Sequence, residues 1–249
     1  MRVLGVIPAR FASSRFPGKP LAMIDGKSMI QRVYEQASKS RSLDMVLIAT
    51  DDTRIEKHVL DFGGKVMMTS GSHTSGTERI GEVIRRIGEQ ADGGFDIVVN
   101  IQGDEPQLNP EQIDLAVKCF SDPAIQISTL MKQIMNREEV LNPNVVKVVV
   151  NSYSEALYFS RSAIPYVRDH LPSEWFENQI FFKHIGLYAY STDVLKQILL
   201  LPSGTLEKAE SLEQLRWLEN GFKIKVIPTL FETVSVDTPE DLLKLTNKA

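Results

Sequence analysis

Arg2-Val-Leu-Gly-Val-Ile-Pro8 is apolar throughout except at its first residue, and it runs directly into Arg10. A short apolar run closed by a turn signal is the pattern of a strand buried on both faces of a sheet. The pattern returns at 45–50 (Met-Val-Leu-Ile-Ala-Thr), followed by Asp51-Asp52. It returns again at 95–101 (Phe-Asp-Ile-Val-Val-Asn-Ile), followed by Gln102-Gly-Asp-Glu105. Helical periods separate these runs. Ser28 is placed to cap a helix through Met29, Ile30, Val33, Tyr34 and Ala37, and Thr53 one through Ile55, Val59 and Leu60. Ser75 or Thr77 can cap a third through Ile80, Val83, Ile84 and Ile87. Strand, helix, strand, helix is the signature of an α/β fold with a mostly parallel central sheet and helices on both faces.

The second half reads differently. Residues 145–150, 156–160 and 187–190 have strand character with few helices between them, and the polar stretch 169–179, which contains Pro172, reads as a loop. Residues 206–220 resume a helical period through Leu212, Leu215 and Leu218, closed by Gly221. Residues 223–230 form a late strand, and 239–245 a last helix with Pro at its start. With no repeat, low-complexity tract or linker, the expectation is one domain over 1–249. An antiparallel excursion around 145–190 would offer a second binding surface or a dimer contact.

Composition narrows the function classes. The 249 residues are 43% hydrophobic and 24% charged, enough for a sizeable core. A net charge of -4 lacks the basic excess of a duplex-DNA binder, so nucleic acid is not an expected partner. Cys119, the single cysteine, allows no intrachain disulfide and sits in an amphipathic period as a small hydrophobe. No apolar stretch approaches a bilayer span, and the first residues lack signal-peptide architecture. The expected setting is cytoplasmic, without membrane insertion.

The segment after the first strand, Pro8-Ala-Arg-Phe-Ala-Ser-Ser-Arg-Phe-Pro-Gly-Lys-Pro20, gathers Arg10, Arg15 and Lys19 among Ser13, Ser14 and Gly18. In an open α/β sheet, ligands bind beyond the carboxyl ends of the strands. Fixed cations among small residues suit a compact polyphosphate there, against the plainer reading of a solvated loop. Neither the G-x-x-x-x-G-K-[ST] loop nor a G-x-G-x-x-G turn is present, since Ser13 stands where the first of these needs glycine. A nicotinamide dehydrogenase is therefore disfavoured.

An ordered set of motifs spans the chain. They are Ile7-Pro-Ala-Arg10, Ser13-Ser-Arg-Phe-Pro-Gly-Lys-Pro-Leu21, Ser75-Gly-Thr-Glu-Arg79, Asn100-Ile-Gln-Gly-Asp-Glu-Pro106, Tyr158-Phe-Ser-Arg-Ser-Ala-Ile-Pro165, Lys183-His-Ile-Gly-Leu-Tyr188, Leu212-Glu-Gln-Leu-Arg216 and Val236-Asp-Thr-Pro-Glu-Asp241. Together they resemble the 3-deoxy-manno-octulosonate cytidylyltransferase (CMP-Kdo synthetase) family. The resemblance implies a Rossmann-like nucleotidyltransferase fold, a homodimer and a role in lipopolysaccharide biosynthesis. The implied reaction takes CTP and Kdo (3-deoxy-D-manno-octulosonate) to CMP-Kdo and pyrophosphate, with Mg²⁺ as cofactor.

Residue by residue, the resemblance assigns Asp104 and Asp237 to the metal. It places Arg10, Lys19, Asp104 and Asp237 in catalysis. Arg10, Ser13, Arg15, Lys19, Ser75, Gly76, Arg79 and Gln102 would bind the nucleotide, and Arg161, His184, Tyr188, Glu210 and Gln214 the sugar acid. Read alone, Asp104 is a turn residue, Asp237 a helix N-cap, His184 structural, and 75–79 a capped helix start. The chemistry nonetheless suits the roles: Mg²⁺ favours hard carboxylate oxygens, and an Arg fork matches a carboxylate. Glu210 and Gln214, four apart, are expected on one helical face. The rivals are a related enzyme using sialic acid or 8-amino-Kdo, and a nucleotide sensor without chemistry.

Overall fold

The computed structural model describes the chain except for residues 13–15, 89–93, 233 and 247–249, together with the side chains of Lys244 and Thr246. The strands are β1 (Val3–Ala9), β2 (Met23–Ile24), β3 (Lys27–Ser28), β4 (Met45–Thr50), β5 (Val66–Met68), β6 (Ile97–Asn100), β7 (Ile127–Gln133), β8 (Lys147–Val150), β9 (Ala156–Ser160), β10 (Phe182–Ser191) and β11 (Lys225–Pro228). The helices are α1 (Met29–Ala37), α2 (Thr53–Asp61), α3 (Gly76–Gly88), α4 (Pro110–Lys118), α5 (Arg137–Leu141), α6 (Trp175–Asn178), α7 (Thr192–Ile198), α8 (Thr205–Glu210), α9 (Gln214–Glu219) and α10 (Pro239–Thr246).

The main sheet runs in the order β11-β7-β10-β6-β1-β4-β5. β4, β1 and β6 pair in parallel, β5 continues from β4 in parallel, and β11 is parallel to β7. β10 is antiparallel to both its neighbours, β6 and β7, so one reversed strand sits in an otherwise parallel array. Alternate residues of β1 enter opposite cores. Leu4 and Val6 pack with Leu47, Ala49 and Val98 on one face, and Val3 and Ile7 with Val46, Ile48 and Val99 on the other. Both faces are covered, which explains why these strands read as unbroken apolar runs.

The excursion is an antiparallel pair, β8 with β9, attached to β10 through Lys147 and Lys183. The stretch 169–179 contains a turn of 3₁₀ helix at Pro172–Glu174 and the short helix α6, where the polarity suggested only loop. Ser28 caps α1 as expected, its hydroxyl accepting the Gln31 N–H. The cap of α2 falls one residue earlier than expected, on Asp52, which accepts the Arg54 N–H.

The continuous helix expected over 206–220 is two helices. Ser211 takes a left-handed conformation (φ 53°) and ends α8, and α9 starts at Gln214. Glu210 and Gln214 thus lie on different helices, not on one face. The local reason is that the Glu210 carboxylate accepts from the Ser160 hydroxyl (2.6 Å) and the Arg161 N–H (2.9 Å), contacts that no helical period reveals.

Candidate active site

The carboxyl ends of β1 and β6 open onto a cleft of about 500 Å³, lined among others by Arg10, Lys19, Gln102, Asp104 and Asp237. The turn after β6 reaches this edge because residue 103 is glycine: a Cβ there would stand 2.9 Å from the Pro8 carbonyl oxygen. Gly76 is less demanding, since a Cβ would meet Pro8 at 3.4 Å, an ordinary contact.

Lys19 follows Gly18, which has φ 73°. Its ammonium donates to Asp104 Oδ2 at 2.8 Å and to Asp237 Oδ1 at 3.4 Å. Two carboxylates from distant parts of the chain therefore converge on one cation. Their alignment is also a backbone matter, because the Val236 N–H donates to the Asp104 carbonyl at 2.9 Å. The N-cap reading of Asp237 does not hold. Thr238 and Asp241 form the reciprocal cap of α10: Asp241 Oδ2 accepts from the Thr238 N–H at 3.1 Å, and Thr238 Oγ1 from the Asp241 N–H at 3.3 Å. The Asp237 carboxylate is left to face Lys19.

These residues fit a magnesium ion. They present two hard anionic oxygens already gathered around a positive charge, and among the described residues no larger His, Cys, Asp or Glu cluster competes for a metal. Mg²⁺ characteristically takes one or two carboxylates and completes its shell with water and phosphate.

The other expected nucleotide residues divide. Arg10 is exposed and donates to the Thr74 carbonyl at 3.3 Å, joining the β1 loop to the segment before α3. Ser75 caps α3 through the Glu78 N–H (3.1 Å). Gln102 donates to the Gly186 carbonyl at 3.0 Å, beside the irregularity between Ile185 and Tyr188 in β10. Arg79 is enclosed instead of being presented to a ligand. It is fully buried, donates to Thr69 Oγ1 at 2.5 Å and lies 3.4 Å from Asp51 Oδ1, tying the first turn of α3 to the end of β4. Ser13 and Arg15 lie outside the described residues.

The sugar-acid candidates gather where β9 and β10 meet α8 and α9. Arg161 donates through Nε to the Glu210 carbonyl (2.7 Å), through Nη1 to the Pro143 carbonyl (3.1 Å) and through Nη2 to the Ser211 carbonyl (3.5 Å). A guanidinium has five N–H donors, so one on each terminal nitrogen remains for a carboxylate. His184 packs against the Phe159 and Tyr188 rings, with centroids 4.9 Å and 5.3 Å away. Its Nε2 lies 2.9 Å from Thr129 Oγ1, whose hydroxyl is also 2.9 Å from the Leu187 carbonyl. The Thr129 hydroxyl proton goes to a carbonyl, so the threonine accepts from Nε2–H and leaves His184 Nδ1 as an acceptor. Tyr188 is buried, its ring packed against His184, Tyr190 and Trp217, and Gln214 is buried at the start of α9.

Burial alone depresses the His184 pKa to about 3. The sign follows from linkage: the neutral ring's stabilisation is complete above the ordinary value of 6.5 and is lost as pH falls through the depressed value. The imidazole NMR resonances of His184 should therefore stay unchanged from about pH 8 to about pH 4. A midpoint near neutrality would refute the neutral assignment.

Glu213, which sequence reasoning passed over in favour of its neighbour Gln214, accepts from Thr77 Oγ1 at 2.7 Å and Ser75 Oγ at 3.3 Å. It joins α9 to the start of α3, and desolvation raises its pKa. The only signal was a carboxylate inside the Leu212–Arg216 motif, with nothing in one dimension to indicate two hydroxyls opposite it.

Residues 4–225 match the family model described as Cytidylyltransferase. A 3-deoxy-manno-octulosonate cytidylyltransferase of Parabacteroides distasonis is 56% identical to this chain, covering 98% of it and 96% of the relative. The chain belongs to the 3-deoxy-manno-octulosonate cytidylyltransferase family. The corresponding protein of Bacteroides thetaiotaomicron is 55% identical, covering 97% of this chain and 96% of its own. A CMP:2-keto-3-deoxy-manno-octonic acid synthetase solved in complex with CTP superposes with a TM-score of 0.91 at 43% identity, over 100% of this chain and 98% of that one. Membership makes the protein a nucleotidyltransferase, and the expected Rossmann-like fold is the one observed. Among the described residues no helix is long and apolar enough to cross a membrane.

Proposed function

We propose that the protein transfers the cytidylyl group of CTP to the anomeric hydroxyl of Kdo, forming CMP-Kdo for lipopolysaccharide biosynthesis and releasing pyrophosphate. The observation that carries this reading is the convergence of Lys19, Asp104 and Asp237 in one cleft. Relatives of that name, about half identical and aligned almost end to end, support CTP and Kdo as the substrates.

Arg10 and Lys19 place fixed positive charge where the β- and γ-phosphates would lie, which orients the triphosphate and stabilises the departing pyrophosphate. Asp104 and Asp237 would hold Mg²⁺, which when bound supplies charge neutralisation and acidifies the attacking hydroxyl. Arg161 directs its remaining donors at the sugar carboxylate, and His184 Nδ1 accepts from a sugar hydroxyl. Lys19, which neutralises the two carboxylates without a ligand, is free to turn to phosphate once another cation takes its place. The same reading includes a homodimer and a cytoplasmic setting; exposed Tyr153 and Leu157 on the excursion offer apolar surface for a second copy.

The test is pyrophosphate release with CTP, Mg²⁺ and Kdo, run beside sialic acid and 8-amino-Kdo and repeated with UTP. Release confined to CTP and Kdo is expected. Release with another acid would keep the reaction and move the acceptor. Folded protein that releases nothing with any pair would leave a nucleotide-binding protein without chemistry.

A further inference from the structure

Lys147 opens β8 and is completely buried, yet the partners of its ammonium are backbone carbonyls, not a carboxylate. Nζ donates to Asn142 O at 2.9 Å, Val145 O at 2.6 Å and Arg161 O at 2.6 Å. All three protons of the ammonium are used. Burying a charge in this way is unfavourable, and desolvation lowers the Lys147 pKa accordingly. An apolar side chain of similar length would fill the space without that cost, so packing does not account for a lysine here.

What the ammonium joins does account for it. Two of its acceptors bracket the turn 142–145, and the third is the backbone of Arg161, at the end of β9. The same turn supplies the Pro143 carbonyl that receives Arg161 Nη1 at 3.1 Å. The next residue, Val146, supplies the carbonyl that receives the His184 N–H at 2.8 Å. Lys147 thus grips the backbone of Arg161, the turn against which the Arg161 guanidinium rests, and the chain segment that fixes His184 along β10.

We infer that Lys147 is a positioning residue for acceptor binding: by clamping the 142–145 turn to the end of β9, it aims Arg161 and His184 at the acidic sugar without touching it. The inference rests on the assignment of Arg161 to the sugar carboxylate made above. A displacement of about an ångström in a positioned group is enough to cost a large factor in productive binding. Lys147→Met keeps an unbranched chain one atom shorter and removes the three donors, so it should release the turn and let the arginine drift.

The experiment is initial-rate pyrophosphate release with Lys147→Met, Arg161→Ala and the double variant, each with thermal unfolding measured alongside. Lys147→Met is expected to raise the KM for Kdo about tenfold and leave the KM for CTP within about twofold. In the Arg161→Ala background the same change should add clearly less than about tenfold, because the share that acts through the arginine is gone and only the positioning of His184 is left to lose. A role in stability alone would lower the unfolding temperature without this split between the two KM values. Independent, multiplying effects of the two substitutions, or an unchanged Kdo KM in folded Lys147→Met, would overturn the inference. An unchanged Kdo KM in Arg161→Ala would instead remove the sugar-site assignment, and this inference with it. Should Lys147→Met fail to fold, Lys147→Gln, which retains an amide donor on a shorter chain, is read by the same criteria.

Discussion

Asp104→Asn should reduce turnover by about 10²-fold or more while the protein keeps its fold. The substitution preserves shape and removes one negative charge. Asp104 lies in a turn held by its own backbone, its carbonyl accepting the Val236 N–H at 2.9 Å, so the amide variant has no structural reason to move that turn. What changes is the charge facing Lys19 at 2.8 Å and the oxygen pair offered to magnesium. Initial rates across a magnesium titration, with Mn²⁺ binding followed separately by electron paramagnetic resonance, would measure both consequences. Turnover and ion affinity should fall together, and Asp237→Asn should behave alike. The double variant should lose less than the product of the two, because the carboxylates serve one ion. Near-full turnover in Asp104→Asn would sink the metal assignment.

Arg161→Ala should raise the KM for Kdo by roughly 10- to 100-fold, the scale of losing charge-assisted hydrogen bonds of about 1.5–3 kcal/mol. CTP affinity should remain within about twofold, because the nucleotide cleft is built from the ends of β1 and β6 and the arginine from the end of β9. The same guanidinium supports the carbonyls of Pro143, Glu210 and Ser211, so some loss of thermal stability is expected too. A direct CTP binding measurement separates the two effects. If CTP affinity fell as far as sugar use, the division into two pockets would be wrong.

Some of this molecule could be read without coordinates. β1, β4 and β6 were legible because each is covered on both faces, so their apolar runs are unbroken and their ends are marked by Arg10, Asp51 and Gln102. β7, α5 and α7 were passed over. β7 ends in Lys132 and Gln133, which blur its apolar run, and α5 and α7 are too short to establish a period. The break at Ser211 was missed because Leu212, Leu215 and Leu218 all follow it: their period reports only α9, and α8, which has no buried residue, adds no apolar stripe to mark its own end.

The site was legible as a set of residue types and much less as a set of partners. Lys19, Asp104 and Asp237 could be named from their motifs, but only the folded chain brings them onto one another. The cap of α10 shows why: Asp237, Thr238 and Asp241 are all competent to cap a helix, and their relative placement gives the task to the last two. Arg79 shows the converse, a charged residue in a nucleotide motif that turns inward to Asp51 and Thr69.

By itself, then, the sequence determined the alternating α/β order, the parallel core and the chemical groups available at its carboxyl edge. These follow from hydrophobic period and residue chemistry, which are local. The tertiary structure alone decided the reversal of β10, the break between α8 and α9, and the pairing of Glu213 with Ser75 and Thr77. It alone showed that a buried lysine holds Arg161 through backbone carbonyls. Those depend on which distant groups satisfy one another's charges and hydrogen bonds, and a backbone carbonyl carries no signature in the sequence.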